Sequence, residues 1–244
     1  MKNVYLDNSA TTRMDSSVLE EMIPFLSDNY GNASSVYSIG RLSKKAIEDS
    51  REKVANILNC RPDEIYFTSG GSESDNTAIK GIARANKEKG KHIITSKIEH
   101  LAVLDTCKKL EEDGFEVTYL DVDKYGRINL DELKSSIRKD TILISIMYAN
   151  NEVGTIQQIS QIGKIAKENN IYFHTDAVQA IGSVKIDVQA QNIDSLSLSA
   201  HKFYGPKGIG VLYVKKDIKF EKFIDGGHQE RNKRAGTENV ANIV

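Results

Sequence analysis

The chain has 244 residues, with 33 Lys+Arg against 34 Asp+Glu and a formal net charge of -1. That length suits one large domain, or one domain plus part of another. Balanced charge gives no general field for nucleic acid or an anionic membrane, no apolar stretch can cross a bilayer, and the N-terminus lacks a signal-peptide pattern, so the expected location is cytoplasmic.

Short β-branched runs alternate with longer amphipathic segments along the chain. An amphipathic pattern with Val54, Ile57 and Leu58 ends at Cys60. A strand expected over 64–68 runs into Ser69-Gly70-Gly71-Ser72, which opens a helix over 72–88. Glycines let the backbone approach an anion, and the free amides of a helix start favour a phosphate, although Ser72 alone also reads as an N-cap. A strand over 92–95 precedes His100 and a helix over 102–113, on which Cys107 shares a face with Val103 and Leu110. Two cysteines are too few for a disulfide framework or a zinc site, and both read as ordinary partly buried thiols. A strand over 116–120 leads to Asp121, Asp123, Gly126 and Glu132, which nearly spell an EF-hand loop. Tyr125 occupies the position of an oxygen ligand, so the stretch reads as a strand-turn-helix connection, with Asn129 and Glu132 as a capping pair for a helix over 129–138. No metal is expected. Strands over 141–147, 171–175, 195–198 and 209–213, with a helix over 160–169, complete the pattern. The alternation reads as α/β: a mostly parallel sheet with helices on both faces, whose ligands bind beyond the carboxyl ends of the strands.

Lys202 leaves one of these buried strands and enters a glycine-bounded turn. Alone it reads as a surface lysine. Asp176 stands in the same kind of place at the end of another strand, and a pyridoxal-phosphate (PLP) site needs both a Schiff-base lysine and a carboxylate on the ring nitrogen. Gln179 lies three residues on, so one helical turn brings it to the same side as Asp176. His100, at a strand-helix junction, reads either as a structural histidine or as one placed to stack on a ring, and the turn 148–154 as closing against a cofactor or simply reversing the chain.

Seven ordered strings join these residues: YLDNSATT at 5–12, SGGSESDN at 69–76, KIEHLAVL at 97–104, YANNEVGTIQ at 148–157, HTDAVQAIG at 174–182, SLSAHKFYGPKGIGVLYV at 197–214 and RAGTENV at 234–240. Together they resemble the cysteine desulfurases of the NifS/IscS type, within the class-V, fold-type-I PLP enzymes. The resemblance implies a fold-type-I large domain over 1–244, with the N-terminal segment (about 1–15) near the active site. It further implies that Lys202 anchors the cofactor covalently and shuttles a proton, and that His100 stacks on the ring. Asp176 and Gln179 would hold the ring nitrogen and ring oxygen, with Asn151 on the oxygen side. Gly71, Ser72, Ser199 and His201 would bind the phosphate, and Thr237 would reach the phosphate of a second subunit in a homodimer.

In that family the reaction takes sulfur from L-cysteine, leaving L-alanine and an enzyme persulfide that serves an iron-sulfur scaffold or another sulfur acceptor. The family pattern continues past RAGTEN into a small C-terminal domain carrying the nucleophilic cysteine, and neither Cys60 nor Cys107 matches its place. The chain is therefore expected to be a fragment without the sulfur-accepting half. Two alternatives stand beside this reading: another class-V PLP enzyme (an aminotransferase or a selenocysteine lyase), and a non-catalytic dimerising remnant.

Overall fold

A computed structural model describes residues 4–244. Seven strands form one sheet: β1 (Ile65–Thr68), β2 (His92–Ser96), β3 (Glu116–Leu120), β4 (Thr141–Ser145), β5 (Tyr172–Asp176), β6 (Ser195–Ser199) and β7 (Gly210–Val214). Their spatial order is β1-β7-β6-β5-β4-β2-β3. Only β7 runs antiparallel to its neighbours β1 and β6; the pairs β2–β3, β2–β4, β4–β5 and β5–β6 are parallel. The mostly parallel sheet expected from the alternation is the one found.

Among the described residues, six helices of six or more residues surround it: α1 (Ser16–Leu26), α2 (Ser38–Leu58), α3 (Gly71–Ala85), α4 (Leu101–Glu112), α5 (Leu130–Ser135) and α6 (Ile159–Glu168). Each helix stripe follows from sequence spacing. Val103, Cys107 and Leu110 line one face of α4, and Ala78, Ile79, Ile82 and Ala83 one face of α3, in the apolar cluster on one side of the sheet. Ala55 and Leu58 of α2, with Ile159, Ile162, Ile165 and Ala166 of α6, fill the cluster on the other side. Strand alternation feeds both: Leu196 and Leu198 of β6 point to the α2/α6 side, leaving Ser195, Ser197 and Ser199 facing α3. Such sheets are buried on both faces because helices cover both.

Several elements are shorter than the sequence suggests. The helix expected over 129–138 stops at Ser135, and the strand expected over 141–147 stops at Ser145, where the chain leaves the sheet toward the cavity. Asn129 caps α5 by accepting from the Asp131 and Glu132 amides, but Glu132 reaches the Asp121 amide rather than its own cap. The Asp123 carboxylate accepts from the Tyr125 and Arg127 amides, which closes the turn that resembles a calcium loop. Among the described residues no helix is long and apolar enough to cross a membrane.

Candidate active site

Five of the parallel strands end on the same edge of the sheet, and the loops that leave them build one cavity of about 520 Å³. After β1 the chain turns through Gly70, whose φ of 155° is costly for any residue with a Cβ. A Cβ on Gly71 would lie 2.8 Å from Val178 Cγ2, so glycine lets the start of α3 close onto the turn after β5. Glu73 holds this loop from behind: its Oε2 accepts from the Ser69 amide at 2.8 Å, and its Oε1 from Arg234 at 3.0 Å. Burial raises the Glu73 pKa, but those two partners outweigh it and keep the carboxyl below its ordinary value.

At the end of β2, His100 caps α4 by accepting the Ala102 amide at Nδ1, 3.1 Å away. After β5, Asp176 is buried, and its Oδ1 accepts from the Val178 amide at 2.9 Å. Desolvation raises its pKa, while that amide, His100 and Lys202 pull the other way. After β6, the 3-10 turn Ala200–Lys202 brings Lys202 across from Asp176. Burial lowers the Lys202 pKa, opposed by the charges of Asp176 and Asp7, which favours the free amine that attack on a carbonyl requires.

The remaining wall comes from the N-terminal segment. Lys202 Nζ donates to the carbonyls of Ser9 and of Ala10, the latter at 2.9 Å, and Gln179 Nε2 donates to Ser9 O at 2.8 Å. Thr12 fixes the segment by donating to His201 O from both its amide (2.8 Å) and its hydroxyl (2.9 Å). Asp7, Ser9 and Ala10 thereby line the cavity. The part of the N-terminal expectation that falls on residues 1–3 lies outside the described residues.

Gly71, Ser72, His100, Asn151, Asp176, Gln179, Ser199, His201 and Lys202 all line this one cavity. Thr237 does not: it lines a separate hollow behind the β1 loop, beside Ser69 and Arg234. Cys60 and Cys107 are also away from it, and burial pushes both thiols up to about 12, far from a reactive thiolate. Cys107 is fully buried rather than partly so. Sequence reasoning missed Asp75, which lines the cavity, and Glu99, buried behind it. It also missed His174 and Ser197 in the strands beneath. Their signal was a polar residue at alternate positions of an otherwise buried strand.

The residues fit PLP on three counts: an amine with a lowered pKa, a buried carboxylate opposite it, and a glycine-lined helix start in the same cavity.

Residues 4–244 match the Aminotransferase class-V family. A protein named Cysteine desulfurase IscS from Methanosarcina thermophila is 64% identical over 243 residues, covering 100% of this chain and 60% of the relative. A protein of the same name from Clostridium botulinum is 60% identical, covering 100% of this chain and 61% of the relative. The chain thus spans about 60% of the length of these curated relatives. Among solved structures, that of a NifS-like protein superposes with a TM-score of 0.97 at 46% identity, covering 99% of this chain and 67% of that one. The structure of SspA in complex with cysteine has a TM-score of 0.96 at 46% identity, covering 99% and 70%. Fold, ordered motifs and family match agree, and the chain belongs to the class-V aminotransferase family.

Proposed function

We propose that this chain is the PLP-binding region of a cysteine desulfurase, which takes sulfur from L-cysteine to give L-alanine and a persulfide for iron-sulfur cluster assembly. The observation that carries the cofactor half is the pairing of Lys202 with buried Asp176 across a single cavity. The substrate half rests on the relatives' names and on the cysteine held by SspA in its solved complex.

When bound, PLP supplies an electron sink for charge that develops at the substrate α-carbon. Lys202 is the amine that would hold the cofactor and exchange a proton with the substrate, its basicity reduced by burial. Asp176 would hold the ring nitrogen and favour its protonated form. Gln179 and Asn151 serve the ring oxygen, and His100 presents its ring from the start of α4. Gly71, Ser72, Ser199 and His201 gather amides and hydroxyls for the phosphate at the start of α3. Thr237, outside its own cavity, serves the phosphate of a second copy in a cytoplasmic homodimer.

Neither thiol of this chain takes the sulfur, since both lie away from the cavity and hold their protons tightly. Persulfide formation belongs to a thiol outside these 244 residues, and the acceptor is an iron-sulfur scaffold or comparable sulfur carrier. Titration of the purified chain with PLP is expected to give a visible absorbance that Lys202→Ala abolishes. L-cysteine is then expected to perturb that absorbance more than L-alanine or L-aspartate. No absorbance, or one unchanged in Lys202→Ala, overturns the cofactor assignment. An equal response to all three amino acids favours the aminotransferase reading of the family.

A further inference from the structure

The face of the sheet that meets α3 carries a line of polar side chains not used in the chemistry above. Ser145 on β4 lies in register with His174 on β5, and Asp176 on β5 in register with Ser197 on β6. His174 is fully buried, with Nδ1 2.9 Å from Ser145 Oγ and Nε2 3.0 Å from Ser197 Oγ. Asp75, one turn into α3 from Gly71, places Oδ1 3.6 Å from His174 Nε2. It is 1% exposed, lines the cavity beside Asp176, and its Oδ1 has no hydrogen-bond partner.

Counting hydrogens ties Asp75 to this line. Burial drives the His174 pKa down to about 3, so the ring is neutral and carries one proton. With that proton on Nε2, His174 donates to Ser197 Oγ, and Ser145 Oγ–H donates to Nδ1. The hydrogen of Ser197 is then left for the Asp75 carboxyl, which it faces. In the reverse tautomer Ser197 Oγ–H donates to Nε2 and its oxygen is left to accept from a protonated Asp75, so either orientation ties the Asp75 carboxyl to the line.

The charged and titratable groups around Asp75 come from every element packed there. They are Asp176 and His174 on β5, Glu99 and His100 after β2, Glu152 after β4, His201 and Lys202 after β6, and Asp7 on the N-terminal segment. Asp176 has an amide, His100 and Lys202 to favour its charge, whereas Asp75 has one hydroxyl and faces two carboxyls. Adjacent buried carboxyls do not both ionise, so the shared proton goes to the less supported one. Burial and the Asp176 charge accordingly push the Asp75 pKa well up.

We propose that Asp75 is a positioning residue for Asp176: a neutral carboxylic acid, oriented through Ser145, His174 and Ser197, that leaves a single carboxylate on the cavity floor. Its consequence for the cofactor rests on the reading that Asp176 serves the PLP ring nitrogen. A cationic ring then meets one negative charge of fixed direction, and the floor stays neutral once loaded.

Infrared spectroscopy of the cofactor-free chain at neutral pH tests the protonation directly. A protonated-carboxyl band that shifts in D2O is expected to survive in Glu99→Gln and to vanish in Asp75→Asn on that background. A band unchanged by Asp75→Asn overturns the proposal, whether or not PLP binds. Absorbance titration tests the positioning: Asp75→Ala is expected to weaken PLP binding roughly 3- to 10-fold, as loss of one buried hydrogen bond does, and Asp75→Asn to restore it within about two-fold. Wild-type affinity in Asp75→Ala, or an Asp75→Asn as weak as Asp75→Ala, overturns that role. If no protein of the set binds PLP, the proposed function falls while the infrared band still decides the state of Asp75.

Discussion

Glu99 accepts from Ser96 Oγ at 2.6 Å and from the Met147 amide at 2.9 Å, both at Oε1, and its Oε2 has no partner. Burial pushes its pKa from 4.5 up to about 8, against the pull of those two donors. Such a group binds its proton more tightly folded than unfolded, so it lowers stability as pH climbs from about 4.5 through about 8. Glu99→Gln keeps the acceptor and removes the titration. Its melting temperature relative to wild type is expected to rise between about pH 5 and about pH 9; a constant difference across that range would show Glu99 already ionised at low pH. The residues that bear opposite signs of chemistry, Lys202 and Asp176, were legible in the sequence because each ends an apolar strand. Asp75 was not, since the string SGGSESDN does not say which side of α3 faces the sheet. That depends on Gly71 letting the helix settle against Val178.

The stretch Gln229–Asn232 follows local rules poorly. Glu230, Arg231 and Asn232 have φ values of 44°, 57° and 65°, a left-handed run that costs each non-glycine residue about 1–2 kcal/mol. What holds it is a buried pair: Arg51 of α2 donates through both terminal nitrogens to Glu230 at 2.8 Å, and Glu230 Oε2 also accepts the Phe67 amide at 2.9 Å. Replacing Glu230 by Ala leaves buried Arg51 with only the Glu48 carboxylate at 3.3 Å and the Ile65 carbonyl, and is expected to cost about 3 kcal/mol in urea unfolding. The double variant with Arg51→Met is expected to recover part of that loss; additive losses would show that the two side chains act independently. The string at 229–234 does not announce this pair, because a pairing 179 residues apart has no local signature. α1 and the start of α2 were not expected, whereas the seven strands and the helices α3 to α6 were legible, as their stripes and alternation are short-range. Their ends were less so, since β4 and α5 stop where tertiary contacts rather than propensity redirect the chain.

At the scale of the whole molecule, the sheet gathers chemistry from loops far apart in sequence onto one edge, as open α/β sheets do. The N-terminal segment closes that edge through hydrogen bonds spanning 189 to 193 residues, the least predictable part of the site from periodicity alone. One of them has a kinetic consequence. The Ser9 carbonyl is shared by Lys202 and Gln179, so both side chains are already engaged by the chain's own backbone. An incoming aldehyde must first displace residues 9–10 and only then bond to the amine. Loading is therefore expected to be a two-step event whose observed rate levels off at high PLP concentration instead of rising in proportion to it. Stopped-flow absorbance measures this, and a strictly linear dependence would mean that the segment never stands in the way. Ser9 offers only its backbone carbonyl to this contact, so the plateau belongs to the path of the chain and not to its ninth side chain.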